Sequence, residues 1–311
     1  MVDFPKNSSK KLFGEYSKFY EATEKDVFDL SRKPVTGNHF EEIYNDTVQI
    51  YEKSGSYEVI RTATNLIGNF DDMNLPKQLL DNIKRLKFKN PLPIQKATFP
   101  YIENGSNVFA IGSTCSGKTA AFLIPVIKWI ILTKEKCTYS MKTSPCCIVL
   151  SSTKELAEQS YNCGCALSYN TSCVCLLSIG GTSVYNDKKK LVKGCDILFC
   201  TIGRLSDYVD KSIIRLNNLH FLVLDDAELH VSSSNSFEDE SQTLVFSATE
   251  SEELKTFLND LAEKSSFTKV VVGNINAVNP HVKQAIVPVA EDKKRKLLLE
   301  LLMQPDIQSI F

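Results

Sequence analysis

The chain of 311 residues is 43% hydrophobic and 23% charged, enough apolar material for a real core and long enough for one large or two ordinary domains. Lys and Arg (36) against Asp and Glu (37) leave a formal net charge of −1, which excludes a globally basic nucleic-acid binder and confines any such site to a local patch. No secretory signal follows the start, and the apolar stretches Ala120–Ile127 and Trp129–Leu132 are split by Lys128 and too short for a bilayer, so an intracellular protein without a membrane partner is expected.

Residues 1–60 are charged and aromatic, with Phe13, Tyr16, Phe19 and Tyr20 spaced for an amphipathic helix. They read as an N-terminal extension, the place where a protein partner would bind. From residue 61 the pattern becomes regular. Short apolar runs at Val108–Ile111, Cys147–Leu150, Val174–Ile179, Ile197–Cys200, Leu219–Leu224 and Thr243–Phe246 predict strands. Helical periodicity at Lys118–Leu132, Lys154–Cys163, Gly203–Val209 and Glu252–Leu261 alternates with them. Near-continuous apolar strands between helices imply an α/β domain over residues 61–277, its central parallel sheet covered by helices on both faces. Ligands of such sheets bind beyond the carboxyl ends of the strands. Further on, Val282–Val289 reads as a strand and Glu291–Met303 as a helix whose basic start, Lys293–Lys296, resembles either a solvated face or a nuclear signal. Ile307–Phe311 looks like a strand just beginning. Residues 278–311 are therefore expected to be a linker and the start of a second, incomplete domain.

Two motifs carry chemistry on their own residues. Gly112-Ser113-Thr114-Cys115-Ser116-Gly117-Lys118-Thr119 satisfies G-x-x-x-x-G-K-[ST] between a strand and a helix. Backbone N–H groups there would cradle phosphate, Lys118 would meet the β/γ-phosphates, and the Thr119 hydroxyl would ligate Mg²⁺. The run Phe221–Leu224 ends in Asp225 and Asp226. Asp225 is placed to hold the metal and Asp226 to orient or deprotonate water. A third pattern, Cys163-x-Cys165 with Cys173-x-Cys175, invites a zinc site. Residues i and i+2 of a helix do not share a face, however, so buried thiols in a reducing compartment are the better expectation.

Taken in order, the segments resemble the DEAD-box RNA helicase family from about Phe70 to the end of the chain, and the fold implied is a RecA-like P-loop domain. Phe70 and Phe88-x-x-Pro-Leu-Pro-Ile-Gln95 resemble the Q motif, which implies that they belong to the ATP site, with Gln95 reading adenine and Phe70 stacking on it. Residues 152–159 resemble motif Ia, with Thr153, Lys154 and Glu155 on the RNA side. Gly180-Gly181 and Thr201-Ile-Gly203-Arg204 resemble the next two RNA-backbone segments. Asp225-Asp-Ala-Glu228 stands at the family's namesake motif, and Ser247-Ala248-Thr249 resembles motif III, which couples hydrolysis to strand separation. The resemblance implies ATP and Mg²⁺ as cofactors, with RNA held by its backbone rather than its bases. It implies a cytoplasmic setting that includes ribonucleoprotein granules, with a nuclear one left open by the basic run.

The departures define an alternative. Asp226 stands where the family has Glu, Glu228 where it has Asp, and Cys115 where it has Gly. Ser152, Lys154 and Ile202 replace Pro, Arg and Pro, and the stretch between Glu228 and Ser247 is short. A Cβ at position 115 strains the loop if φ is positive. Such drift resembles the helicase-like domains of Tudor-domain proteins of the germline small-RNA pathway, and would suit a scaffold that hydrolyses ATP poorly. Little turnover is expected from these 311 residues alone.

Overall fold

The computed structural model describes residues 48–54, 56–62, 66–136, 143–226, 241–264, 267–273 and 287–303. The pattern at 13–20, Glu228 with the polar stretch after it, most of Val282–Val289 and Ile307–Phe311 lie outside these residues.

Strands β1 (Val48–Ser54) and β2 (Ser56–Thr62) form an antiparallel hairpin. A 3-10 turn at Phe70–Met73 precedes helices α1 (Lys77–Arg85) and α2 (Pro93–Glu103). There follow β3 (Asn107–Gly112), α3 (Lys118–Lys136), β4 (Cys147–Ser151), α4 (Lys154–Leu167), β5 (Cys175–Ser178) and α5 (Val184–Lys193). The domain continues through β6 (Ile197–Thr201), α6 (Ile202–Asp210), β7 (Phe221–Asp225), β8 (Gln242–Ser247), α7 (Glu252–Lys264) and β9 (Phe267–Val272). The nine strands lie in the order β2-β1-β9-β3-β8-β7-β4-β6-β5. Strands β3 to β9 are mutually parallel, and β1 runs antiparallel to β9.

Why the strands read as unbroken apolar runs is visible in their packing. Along β3, Val108 and Ala110 join Leu79, Ile83, Ile94, Phe122 and Leu167 beneath α1 to α4. Phe109 and Ile111 point the other way, among Leu191, Leu205, Tyr208 and Leu254 of α5 to α7. Both faces are dry, so no alternation with polar residues is required. Each buried Leu or Phe contributes roughly 1.5–3 kcal/mol relative to exposure. Phe122 on α3 and Phe246 on β8 meet at 5.2 Å between ring centroids, tying helix to sheet at its centre.

Several boundaries differ from the sequence reading. The sheet begins upstream of residue 61, because Val48 and Ile50 are buried while Gln49 is exposed, and Val48–Glu52 pair with β9. That hairpin and β9 extend a sheet edge the apolar runs alone did not reveal. Strand β5 is shorter than Val174–Ile179, and β7 begins at Phe221 because the N–H of Leu219 turns back to the Leu216 carbonyl. Helix α5 escapes a hydrophobic scan since only Asp187 and Leu191 of its ten residues are buried.

Cys175, which opens β5, meets Cys165 of α4 and Cys173 by thiol hydrogen bonds, and the Ser168 hydroxyl lies 3.5 Å from Cys175 Sγ. Burial, and after it the neighbouring Asp225 and Cys175, push the Cys163 thiol up to about 12. Among the described residues no three His, Cys, Asp or Glu side chains are gathered to hold a metal ion, and no helix is long and apolar enough to cross a membrane.

Chain contacts divide the molecule into two units, Met1–Asn276 with the sheet and Ala277–Phe311. Within the second unit, a 3-10 turn at Glu291–Lys293 leads into helix α8 (Lys294–Leu302).

Candidate functional site

The parallel strands all end on one edge of the sheet, at Gly112, Ser151, Ser178, Thr201, Asp225 and Ser247. The motif segments that directly follow β3, β4, β5, β6, β7 and β8 therefore emerge on that edge. Sheet order sorts them into two groups. The loops after β3, β8 and β7 form the phosphate-loop half; those after β4, β6 and β5 form the other.

In the phosphate-loop half, Lys118 opens α3 and folds back, its Nζ donating to the Gly112 carbonyl at 2.9 Å and the Ser113 carbonyl at 3.0 Å. Gly117 has φ +88°, and a Cβ there would stand 2.6 Å from Gln95 Nε2, so glycine is required both by backbone and by contact. Cys115 has φ +66° and is exposed. It occupies the left-handed region in which an L side chain costs about 1–2 kcal/mol. The Ser116 hydroxyl is buried without a hydrogen-bond partner, a polar group in the loop that a ligand oxygen would satisfy. Ser113 and Thr114 are exposed, and Thr119 is half-buried one residue into α3.

Gln95 is buried, at 4% exposure. Its Oε1 accepts the Leu92 N–H at 2.9 Å, closing the first turn of α2, and its Nε2 donates to the Gly117 carbonyl at 3.2 Å. The amide thus braces the phosphate loop, with one N–H and one lone pair still available for a base. Phe70 is buried in the core, and Phe88 packs half-buried against it.

Asp225 ends β7 at 7% exposure, and the Ser160 hydroxyl of α4 donates to its Oδ2 at 2.6 Å. Burial pushes its carboxyl up to about 6, against the smaller opposing pulls of the Ser160 hydrogen bond and of Lys118. Asp226 follows with φ +61°, its N–H held by the Phe246 carbonyl at 3.0 Å. The next strand ends in a buried Ser247, whose Oγ accepts the Thr249 N–H at 3.3 Å; Ala248 and Thr249 are half-buried. The donors gathered here are hydroxyl and carboxylate oxygens, the hard ligands that suit Mg²⁺, which takes only one or two protein groups alongside phosphate. Thr119 and Asp225 fit that description.

In the second half, Thr153 caps α4 by accepting the Leu156 N–H at 3.2 Å, and Lys154 and Glu155 are exposed beside it. Lys154 lies over the glycine pair, its Nζ 3.5 Å from where a Cβ of Gly181 would stand. Gly181 has φ +93°, the backbone form that a side chain would oppose. Thr201 and the exposed Gly203 flank the start of α6.

Arg204 differs from a surface phosphate contact. It is 7% exposed, and its Nη2 donates to the carbonyls of Ile179 at 2.7 Å and Thr182 at 2.9 Å. It clamps the loop that bears the glycine pair. Beneath it, Asp187 Oδ2 accepts from Ser178 at 2.7 Å, Tyr208 at 2.8 Å and Thr182 at 3.0 Å. Burial raises the Tyr208 hydroxyl above its ordinary range. Ser160, Ser178, Asp187 and Tyr208 were not singled out from the sequence. The available signal was a polar residue inside a buried helical stripe, Ser160 with Ala157, Gly164 and Leu167, and Asp187 with Leu191.

Comparison with known proteins gives the same picture. The family model for DEAD/DEAH box helicases matches residues 92–257. ATP-dependent RNA helicase glh-4 of Caenorhabditis elegans is 34% identical over 254 residues, which is 76% of this chain and 22% of that one. Probable ATP-dependent RNA helicase DDX4 of Pelophylax lessonae is 32% identical over 297 residues, 91% of this chain and 39% of its own. The crystal structure of a DEAD box protein from Methanococcus jannaschii superposes with a TM-score of 0.57 at 26% identity, covering 78% of this chain and 65% of that one. The chain thus spans well under half the length of both curated relatives.

Proposed function

Since the chain belongs to the DEAD/DEAH box helicase family, we propose that it is the ATP- and RNA-binding domain of an ATP-dependent RNA helicase. The observation that carries the reading is the single sheet edge on which the phosphate loop, the Asp225 carboxylate and the Lys154–glycine-pair cluster all emerge.

The loop N–H groups and Lys118 would bind the phosphates, Lys118 exchanging the Gly112 and Ser113 carbonyls for phosphate oxygens. Gln95 would offer its remaining donor and acceptor to adenine while it braces Gly117. Thr119 and Asp225 would hold Mg²⁺, which supplies charge neutralisation on the transferring phosphate. Asp226 would accept a proton from the attacking water. The glycine pair, Thr153, Lys154, Thr201 and Gly203 would follow an RNA backbone by phosphate and sugar contacts. Arg204 would act from below, holding the glycine-pair loop in shape. We place this work in the cytoplasm, in ribonucleoprotein assemblies.

One observation favours the second reading, a scaffold that binds nucleotide but turns it over poorly. Asp226 is one methylene shorter than the family's glutamate, and its backbone is anchored to Phe246, so the chain cannot advance to compensate. A carboxylate withdrawn by about an ångström costs on the order of 100-fold in rate.

Titration with fluorescent ADP and ATP in Mg²⁺, beside guanine nucleotides and Lys118→Ala, tests the proposal. Adenine-selective binding that Lys118→Ala abolishes is the expected result. No binding at millimolar nucleotide refutes it.

A further inference from the structure

We propose that Ser160 is a positioning residue for the metal-binding carboxylate, and that through it the RNA-side helix sets the orientation of Asp225. The assignment rests on the nucleotide reading above.

Both partners are out of water: Ser160 is 2% exposed and Asp225 7%. Their Oγ–Oδ2 separation of 2.6 Å is that of a charge-assisted hydrogen bond. A serine hydroxyl has one hydrogen, and here it is given to Oδ2. That fixes the carboxylate plane and leaves both lone pairs of Oδ1 outside this bond, for a cation or a cation-bound water. Nothing in the packing of α4 asks for a hydroxyl at this position. Its buried-face neighbours are Ala157, Gly164 and Leu167, and an alanine would fill the stripe as well. The polar atom is accounted for by Asp225 alone.

Helix α4 is the element that spans the two halves of the edge. It starts at Lys154, against the glycine pair, and reaches Ser160 about 9 Å further along its axis. Asp225 itself ends β7, and β7 lies next to β4, the strand from which α4 departs. A backbone phosphate drawn to Lys154 and the Thr153 end of α4 therefore acts on a rigid rod whose next contact at the site is the carboxylate. In the sheet order the phosphate-loop strands and the glycine-pair strands meet at this β7–β4 boundary, and Ser160–Asp225 is a buried side-chain bond that crosses it.

The test measures the affinity of the whole 311-residue chain for fluorescent ADP with Mg²⁺ and with EDTA, and takes the ratio. Ser160→Ala is expected to reduce that Mg²⁺-dependent gain about tenfold, the loss of one hydrogen bond to a charged group, and Ser160→Thr, which retains the hydroxyl, to restore it. Thermal melts establish that each variant is folded at the assay temperature. Should Ser160→Ala melt below it, Ser160→Cys, of nearly the same volume but a weak donor, takes its place with the same expected loss. A gain unchanged from wild type in the variant lacking the hydroxyl overturns the assignment. So does a Thr variant as impaired as the Ala or Cys variant. A wild-type chain that binds ADP but gains nothing from Mg²⁺ overturns Asp225 as a metal ligand and Ser160 with it, and one that binds no nucleotide overturns the nucleotide reading as well.

Discussion

Replacing Asp225 by Asn isolates the cost of holding a charged carboxylate inside the fold. Burial lifts its carboxyl from an ordinary 3.8 to about 6, so between those values the folded chain holds a proton that the unfolded chain has released. The sign follows: the penalty is absent well below the unfolded value, grows as pH rises from there through the folded value, and is then constant. Above pH 7 it amounts to about 3 kcal/mol, and at pH 5 to roughly half of that. Asn keeps an oxygen that can accept from Ser160 but cannot ionise. In EDTA, chemical denaturation should therefore find Asp225→Asn more stable than wild type at pH 7.5, by an amount of order 3 kcal/mol, with the gap narrowing steadily toward pH 5. The pH dependence of the gap is the test, since any fixed packing difference between Asn and Asp cancels from it. A gap that stays constant from pH 5 to 7.5, or widens as pH falls, would refute the argument that the carboxylate is desolvated.

Other outcomes follow from particular backbone and side-chain positions. Cys115→Gly should relieve the left-handed φ of +66° and raise stability by about 0.5–1 kcal/mol in a denaturant melt; destabilisation would mean that the loop is unstrained. Arg204→Ala should cost about 2–4 kcal/mol, since the Ile179 and Thr182 carbonyls lose their donor, and hydrogen exchange should rise first in residues 179–183. Tyr208→Phe, which takes one of three donors from Asp187, should cost about 1–2 kcal/mol; a neutral result would show that Ser178 and Thr182 satisfy the carboxylate by themselves. Asp226→Glu should raise ATP hydrolysis at least about tenfold in a longer chain that hydrolyses ATP, if the shortened side chain limits the rate, and an unchanged rate assigns the limitation elsewhere.

Much of the architecture was already legible. Strands β3 to β8 appear as apolar runs because a sheet covered on both faces dries both sides of each strand, a signal that survives in one sequence. The phosphate loop and the acidic end of β7 were legible because their chemistry depends on backbone form and on near-neighbour spacing. The sequence left the sign of φ at Cys115 open, and the folded loop sets it at +66°. Strands β1 and β2 were less visible, since a hairpin added to a sheet edge is specified by its pairing with β9 rather than by continuous hydrophobicity.

What the sequence alone determined is the order of elements and the identity of the groups that reach the carboxyl edge. What only the tertiary structure decided is which of those groups are spent on one another. Arg204 reads as a surface cation and lies buried under a loop 22 to 25 residues away in the chain. Gln95 reads as a base reader and is half occupied by Leu92 and Gly117. Ser160 reads as an ordinary helix residue and holds Asp225 across a separation of 65 residues. Hydrogen bonds of this kind depend on the distance and angle between elements, and buried polar groups take whichever partner packing brings to them. Local pattern records which residues are polar, and packing decides whom they meet.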